Sequence, residues 1–197
     1  MFPDRVVIAT RNPGKVREIL RICADWPVAW VTFQDASWPD VEETGASYRE
    51  NALLKARAAA GAVGAAGLAD DSGIEVDLLG GGPGLRSARF AGEGASDEEN
   101  LQFLIERVRA SPPPARTARY RCVALLAMPA GADVWVEETC EGSLVLEPRG
   151  TGGFGYDPIF VPAGETNTMA ELSPGKKDLI SHRGKAFRAL AGALRGT

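Results

Sequence analysis

The chain is poor in histidine and in cysteine. It has one histidine, His182, and three scattered cysteines, Cys23, Cys122 and Cys140, with no CxxC pair among them. That scarcity argues against a zinc centre and against a disulfide framework, and it fits reduced thiols in a cytoplasmic protein. No apolar run is long enough to span a membrane, and the first one, Val6-Val7-Ile8-Ala9, follows no basic stretch. Neither a membrane partner nor a signal peptide is therefore expected. Positive charge is not in excess: the net charge is −4, which argues against a surface built to grip a nucleic acid backbone. A GxxxxGK[ST] phosphate loop is also missing. A local cationic pocket for a small anion remains compatible with all of this.

With 197 residues and 45% hydrophobic content, the chain can bury a full core as a single domain over 1–197. Val6 to Thr10 reads as a buried strand, after which Asn12 offers an N-cap and Pro13 suits the first helical position. Val16, Ile19, Leu20 and Cys23 continue at helical spacing. Ser47 with Glu50, and Ser96 with Glu99, have the spacing of capping boxes. The first opens a stripe of Ala52, Leu53, Ala56, Ala59, Ala60 and Val63; the second opens Leu101, Leu104, Ile105 and Val108. A last helix carries Ala186, Phe187, Leu190 and Leu194. Thr117 to Met128 alternates and then turns apolar on both faces, as a strand entering a buried sheet does. Pro129 to Asp133 predicts a turn and Val134 to Cys140 a returning strand. The expected fold is α/β: a mixed twisted central sheet with flanking helices, in two lobes around a nucleotide cleft. Ser111-Pro112-Pro113-Pro114 marks a lobe boundary or a surface loop.

Four short islands carry chemistry. In Thr10-Arg11-Asn12-Pro13-Gly14-Lys15 a strand ends and a helix opens, aiming backbone amides at whatever lies above, with a lysine in the first turn. The lysine opposes the helix dipole at a cost of only about 0.3–1 kcal/mol, so energy alone does not exclude an exposed surface lysine, although phosphate binding is the favoured reading. Ala69-Asp70-Asp71-Ser72-Gly73 places two carboxylates at a strand end, where they suit a magnesium ion or belong to a plain turn. Glu42-Glu43-Thr44-Gly45 adds carboxylates in a non-helical segment, and spacing does not choose between Glu42 and Glu43. Lys55, in the helix that follows, reaches phosphates or faces outward. Gly152-Gly153-Phe154-Gly155-Tyr156-Asp157-Pro158 holds rings on a permissive backbone, as a base-stacking surface does; a core aromatic beside a tight turn is the plainer alternative. Ser181-His182-Arg183 follows Lys176 and Lys177, with Ser181 as N-cap of the final helix, and forms the densest donor cluster in the chain.

In this order the islands, together with Glu50-Asn51-Ala52, strongly resemble the inosine triphosphate pyrophosphatase family. The resemblance implies hydrolysis of deaminated purine nucleoside triphosphates (ITP, dITP, XTP) to monophosphate and pyrophosphate. It carries Glu42 and Asp71 into metal-binding positions for Mg2+, with Asp71 also the base that activates water. It places Thr10, Arg11, Asn12, Pro13, Gly14, Lys15 and Ser72 on the substrate. Phe154 would stack on the purine, Gly155, Tyr156 and Asp157 would shape its pocket, and Lys177, His182 and Arg183 would serve the base. Arg11 departs from the family, which often has a smaller residue there. Relatives are commonly homodimers, and Trp26, Trp30 or Trp38 serve either an interface or the core.

Selectivity then follows from hydrogen-bond sign. Hypoxanthine and xanthine present an acceptor at the 6-position and adenine a donor, so a donor-rich pocket leaves one group unsatisfied against adenine, at about 1–3 kcal/mol. Water would attack the α-phosphate, with magnesium on phosphate oxygens and Lys15 balancing their charge. No Ser-His-Asp triad competes, because the one histidine has another assignment. The rival readings are a non-catalytic purine nucleotide sensor and a phosphatase or kinase acting at the γ-position.

Overall fold

The computed structural model describes residues 1–129 and 132–196. Strand β1 (Arg5–Ile8) leads into helix α1 (Pro13–Ile22), followed by β2 (Ala29–Val31), α2 (Tyr48–Val63) and β3 (Ala66–Val76). Then come α3 (Asp97–Val108), β4 (Thr117–Ala127), β5 (Val134–Leu144), β6 (Phe160–Pro162), α4 (Pro174–Ile180) and α5 (His182–Arg195). The strands form a sheet of order β2-β1-β3-β4-β5-β6. It is mixed: β1 runs parallel to β2 and β3, whereas β5 and β6 are antiparallel. The α/β expectation holds. The turn expected at 129–133 falls partly on Ala130 and Gly131, outside the described residues.

The chain divides into two compact units. The first comprises Met1–Asp71, Cys122–Glu138 and Arg183–Thr197. Its core joins Val6, Ile8 and Leu68 of the sheet to Val16 and Ile19 of α1 and to Phe187, Leu190 and Leu194 of α5. Helix α1 starts as its sequence dictates, with Asn12 as N-cap accepting the Lys15 N–H and Pro13 in the first turn. Helix α2 turns alanines inward (Ala52, Ala56 and Ala59 are buried) and comes so close to β3 that a Cβ on Gly67 would stand 2.1 Å from the Ala56 carbonyl oxygen. Of the tryptophans, Trp26 and Trp38 are buried and Trp30 packs on this core. The exposed one is Trp135, with the Arg49 guanidinium 4.5 Å above its ring.

The second unit comprises Ser72–Arg121 and Thr139–His182. Its core gathers Ile74, Leu101, Leu104, Ile105, Tyr120, Cys140, Leu144, Tyr156 and Phe160. Ser96 and Glu99 complete a capping box at α3. At α2 only half of that motif forms: Ser47 accepts the Glu50 N–H, but the Glu50 carboxylate takes the Ala46 N–H instead of returning to Ser47. The proline run contributes a 3₁₀ turn, Pro113–Ala115, inside this unit. It is a loop and not a boundary between units.

One sequence expectation needs correction. Asp70-Asp71-Ser72-Gly73 is neither a turn nor a strand end. It lies in the middle of the eleven-residue β3, because partners in the surrounding structure override the turn preference of these residue types. The chain reverses further on, where Gly80 N–H bonds Asp77 and Val76 N–H bonds the Gly82 carbonyl. Ser181 serves two helices: its N–H donates to the Lys177 carbonyl and closes α4, and its extended backbone immediately precedes α5, the N-cap position expected of it. The three cysteines are free and buried.

Candidate functional site

Strand period decides what Asp70 and Asp71 can do. Consecutive residues of a strand point to opposite faces, so the adjacent carboxylates acquire different partners. Asp70 receives Arg183 through Nη2 at 2.9 Å and Nε at 3.3 Å, and Lys15 Nζ at 3.1 Å. Arg183 reaches on to Glu18 of α1 at 2.6 Å. All of these but Lys15 are buried, with Arg183 at 2% exposure. Burial alone would raise the Asp70 carboxyl, but Arg183, Lys15 and Lys55 overcome it and hold the group well below the usual carboxylate range. Burial also disfavours the Arg183 cation, yet Asp70 and Glu18 hold its pKa above the ordinary value.

Asp71 faces α2. Its Oδ1 accepts Lys55 Nζ at 2.7 Å and its Oδ2 accepts Asn51 Nδ2 at 3.3 Å. The same Lys55 nitrogen lies 2.8 Å from Glu43 Oε1. Lys55 and Asn51 share one face because they are four residues apart on a helix. Burial pushes the Asp71 carboxyl up; Lys55 and Lys15 oppose the shift and Glu43 adds to it. Burial works against the Lys55 charge, but Asp71, Glu43 and Asp70 outweigh it and raise its pKa. A carboxylate with a raised pKa, held on two sides, is suited to accept a proton.

Sequence spacing left Glu42 and Glu43 undecided. Glu42 is exposed, whereas Glu43 is half-buried and joined to Asp71 through Lys55. Among the described residues no group of three or more His, Cys, Asp and Glu is placed to cage a metal ion. Magnesium does not need one, since it usually takes one or two carboxylates and completes its shell with waters and phosphate oxygens. The hard oxygen donors of Asp71 and of the Glu42-Glu43 segment fit that demand.

The first island gives Lys15 to Asp70 and turns Arg11 away: the Arg11 guanidinium bonds the Trp38 carbonyl and lies 3.3 Å from Asp40. Thr10 Oγ1 accepts the Asn12 N–H, so Thr10 and Asn12 form a short loop into the first turn of α1, which holds Pro13 and Gly14 and no acidic residue. Lys15 meets the carboxylate of Asp70 across this start, which explains a cation at the unfavourable end of a helix dipole.

In the second unit the donors converge on Asp157. This carboxylate is 3% exposed and takes Lys177 Nζ at 2.5 Å and the Phe154 N–H at 2.9 Å on Oδ2, and Tyr120 OH at 3.3 Å on Oδ1. Lys177 also stands 5.2 Å from the centre of the half-buried Phe154 ring. Gly153, at φ +74°, makes room for the pair: a Cβ there would meet Asp157 Oδ2 at 2.0 Å and Lys177 Nζ at 2.8 Å. Gly155 N–H bonds Asp97 Oδ2 at the start of α3. Tyr156 packs in the core and donates its hydroxyl to the Ser87 carbonyl at 2.7 Å. His182 is buried, its ring stacked on Tyr120 at 4.4 Å and 12°. Ser72 is half-buried on β3.

Sequence reasoning assigned no role to Glu18, Asn51, Tyr120 or Asp97. Glu18 and Asn51 are set apart only by their burial in the structure, since a buried polar side chain requires a partner.

The model of the Ham1 family matches residues 6–193. The chain is 47% identical to the dITP/XTP pyrophosphatase of Streptomyces coelicolor over 194 residues, covering 97% of each chain. It is 46% identical to the dITP/XTP pyrophosphatase of Escherichia coli K12 over 196 residues, covering 98% of each. A solved HAM1 protein from Coxiella burnetii superposes with a TM-score of 0.87 at 38% identity, covering 98% of this chain and 99% of that one. With the match running nearly end to end, the chain belongs to the Ham1 family.

Proposed function

We propose that this protein hydrolyses deaminated purine nucleoside triphosphates (ITP, dITP and XTP) to the monophosphate and pyrophosphate, as one domain over residues 1–197. The observation that carries the reading is the buried Asp71 held between Lys55 and Asn51, in a chain 47% identical to a dITP/XTP pyrophosphatase. Asp71 accepts the proton of the water that attacks the α-phosphate; its raised pKa suits that step. Lys15 and Lys55 set positive charge against the phosphates while keeping the carboxylates in place. Arg11, tied to Trp38 and Asp40, shapes the loop around Thr10, Asn12, Pro13 and Gly14. Asp71 with Glu42 or Glu43 would hold Mg2+, which when bound draws charge from the phosphate oxygens.

Phe154 stacks on the purine, within a loop shaped by Gly155, Tyr156 and Asp157. Lys177 and the amides of Phe154 and Gly155 donate to the 6-oxygen by exchanging their contacts with Asp157 and Asp97, and His182 supports them through its stack on Tyr120. Ser72 contacts the substrate beside Asp71. Arg183 donates to the base only by exchanging one of its contacts with Asp70 or Glu18. Adenine would turn an amino donor toward these donors, which costs about 1–3 kcal/mol per unsatisfied group.

The protein acts in the cytoplasm as a homodimer; a partner protomer would cover Trp135. Its net charge of −4 supports a nucleotide substrate in place of nucleic acid or membrane. Product analysis with inosine triphosphate tests the reading. Release of pyrophosphate and monophosphate, lost on chelating magnesium, is expected. Orthophosphate with diphosphate would indicate γ-attack, and binding without turnover would indicate a sensor.

A further inference from the structure

Asn51 is 1% exposed and uses both ends of its amide. Its Nδ2 donates to Asp71 Oδ2 at 3.3 Å, and its Oδ1 accepts the Gly45 N–H at 2.8 Å. One side chain on α2 therefore touches the carboxylate on β3 and the end of the loop that carries Glu43. Lys55, one helical turn later, repeats the bridge through charge, bonding Asp71 Oδ1 and Glu43 Oε1. The two contacts differ in kind. An ammonium can swing around a carboxylate, because three rotatable donors sit on a flexible stem. The planar amide of Asn51 has fixed donor and acceptor directions, and its helix is anchored against β3 at Gly67.

We propose that Asn51 is a positioning residue of the hydrolytic site, setting the rotation of the Asp71 carboxylate and tying it to the Glu43 loop. The proposal rests on the reading of Asp71 as the base. Its physical content is orientation: with Oδ2 held by Asn51 and Oδ1 by Lys55, the carboxylate plane is fixed before substrate arrives, and a small misplacement of a reacting group is enough to slow chemistry.

Two variants of the full-length protein test it. Asn51→Ala removes both bonds, whereas Asn51→Asp keeps an acceptor for the Gly45 N–H and removes the donor to Asp71. Both are expected to lower kcat for inosine triphosphate by roughly ten- to a hundredfold. For Asn51→Ala, KM stays within about twofold of wild type, as for a group that acts in the chemical step and not in binding. Calorimetric affinity of the Ala variant for the non-hydrolysable α,β-imido analogue of inosine triphosphate should be unchanged, a readout that a loosened fold would not preserve. If Asn51→Asp retains wild-type kcat, Asn51 only caps the loop and the proposal is overturned. A folded Asn51→Ala with wild-type kcat overturns it equally, so the test survives misfolding of the Asp variant. Absence of pyrophosphate release from the wild-type protein would instead sink the functional reading itself.

Discussion

A buried carboxylate needs a cation, and Glu18 has one in Arg183 at 2.6 Å. Glu18→Ala would leave a buried guanidinium short of one counter-charge. Breaking such a pair costs about 3–5 kcal/mol, so a clear fall in the urea midpoint is expected, measured by circular dichroism. The neighbouring Asp71 is a different case, because its task is chemical. Asp71→Asn keeps the shape and removes the proton acceptor, so turnover of inosine triphosphate should fall by at least about a hundredfold while nucleotide affinity largely persists. Wild-type turnover in the purified variant would refute the assignment. The residue types of this cluster were legible in the chain: Lys15, Asp71 and Lys55 stood out as charges beside glycine-rich or helix-opening segments. What they touch was not legible. Glu18 and Asn51 look like ordinary helix residues until their burial is known.

Elements carry the spacing that those contacts require. Helix α2 bonds Asp71 from two positions only because its alanine face lets it approach β3 closely, at Gly67 above all. Gly67→Ala would drive a methyl into the Ala56 carbonyl and push the helix outward. Overpacking of this sort costs about 1–3 kcal/mol. It should lower the melting temperature and also kcat, since Lys55 and Asn51 move with the helix. An unchanged kcat would mean that the close approach serves stability alone. Helix starts were the most readable features of the sequence: Asn12, Ser47 and Ser96 each accept the N–H three residues on. Caps are readable because they are local, one side chain meeting its own backbone. The long β3 was not readable over Asp70-Asp71-Ser72-Gly73, since its pairing with distant chain outweighs the turn preference of those four residues.

At the scale of the molecule, acid sensitivity has identifiable contributors. Asp77 accepts Thr117 Oγ1 at 2.6 Å and Arg119 Nη2 at 2.8 Å, and these bonds hold its pKa below the ordinary 3.8. A depressed carboxylate stabilises the fold above its unfolded pKa, and that contribution is lost as pH falls through the folded value. The window therefore lies below about pH 4. Asp77→Asn should flatten the loss of stability with acid there and leave the slope near neutrality unchanged, as followed by urea melts across pH. An unaltered acid limb would show that Asp77 is screened by solvent. The sequence by itself determined the α/β class, the helix starts, the charged and glycine-rich islands and the family, because these depend on periodicity, local capping and residue order. Only the tertiary structure decided that adjacent Asp70 and Asp71 serve opposite faces of a strand. It also decided that Arg183 is buried on Asp70 and Glu18, and that Glu43 joins Asp71 through Lys55. Those outcomes depend on which distant segments a sheet and its helices bring within hydrogen-bond reach, and spacing along the chain does not encode that distance.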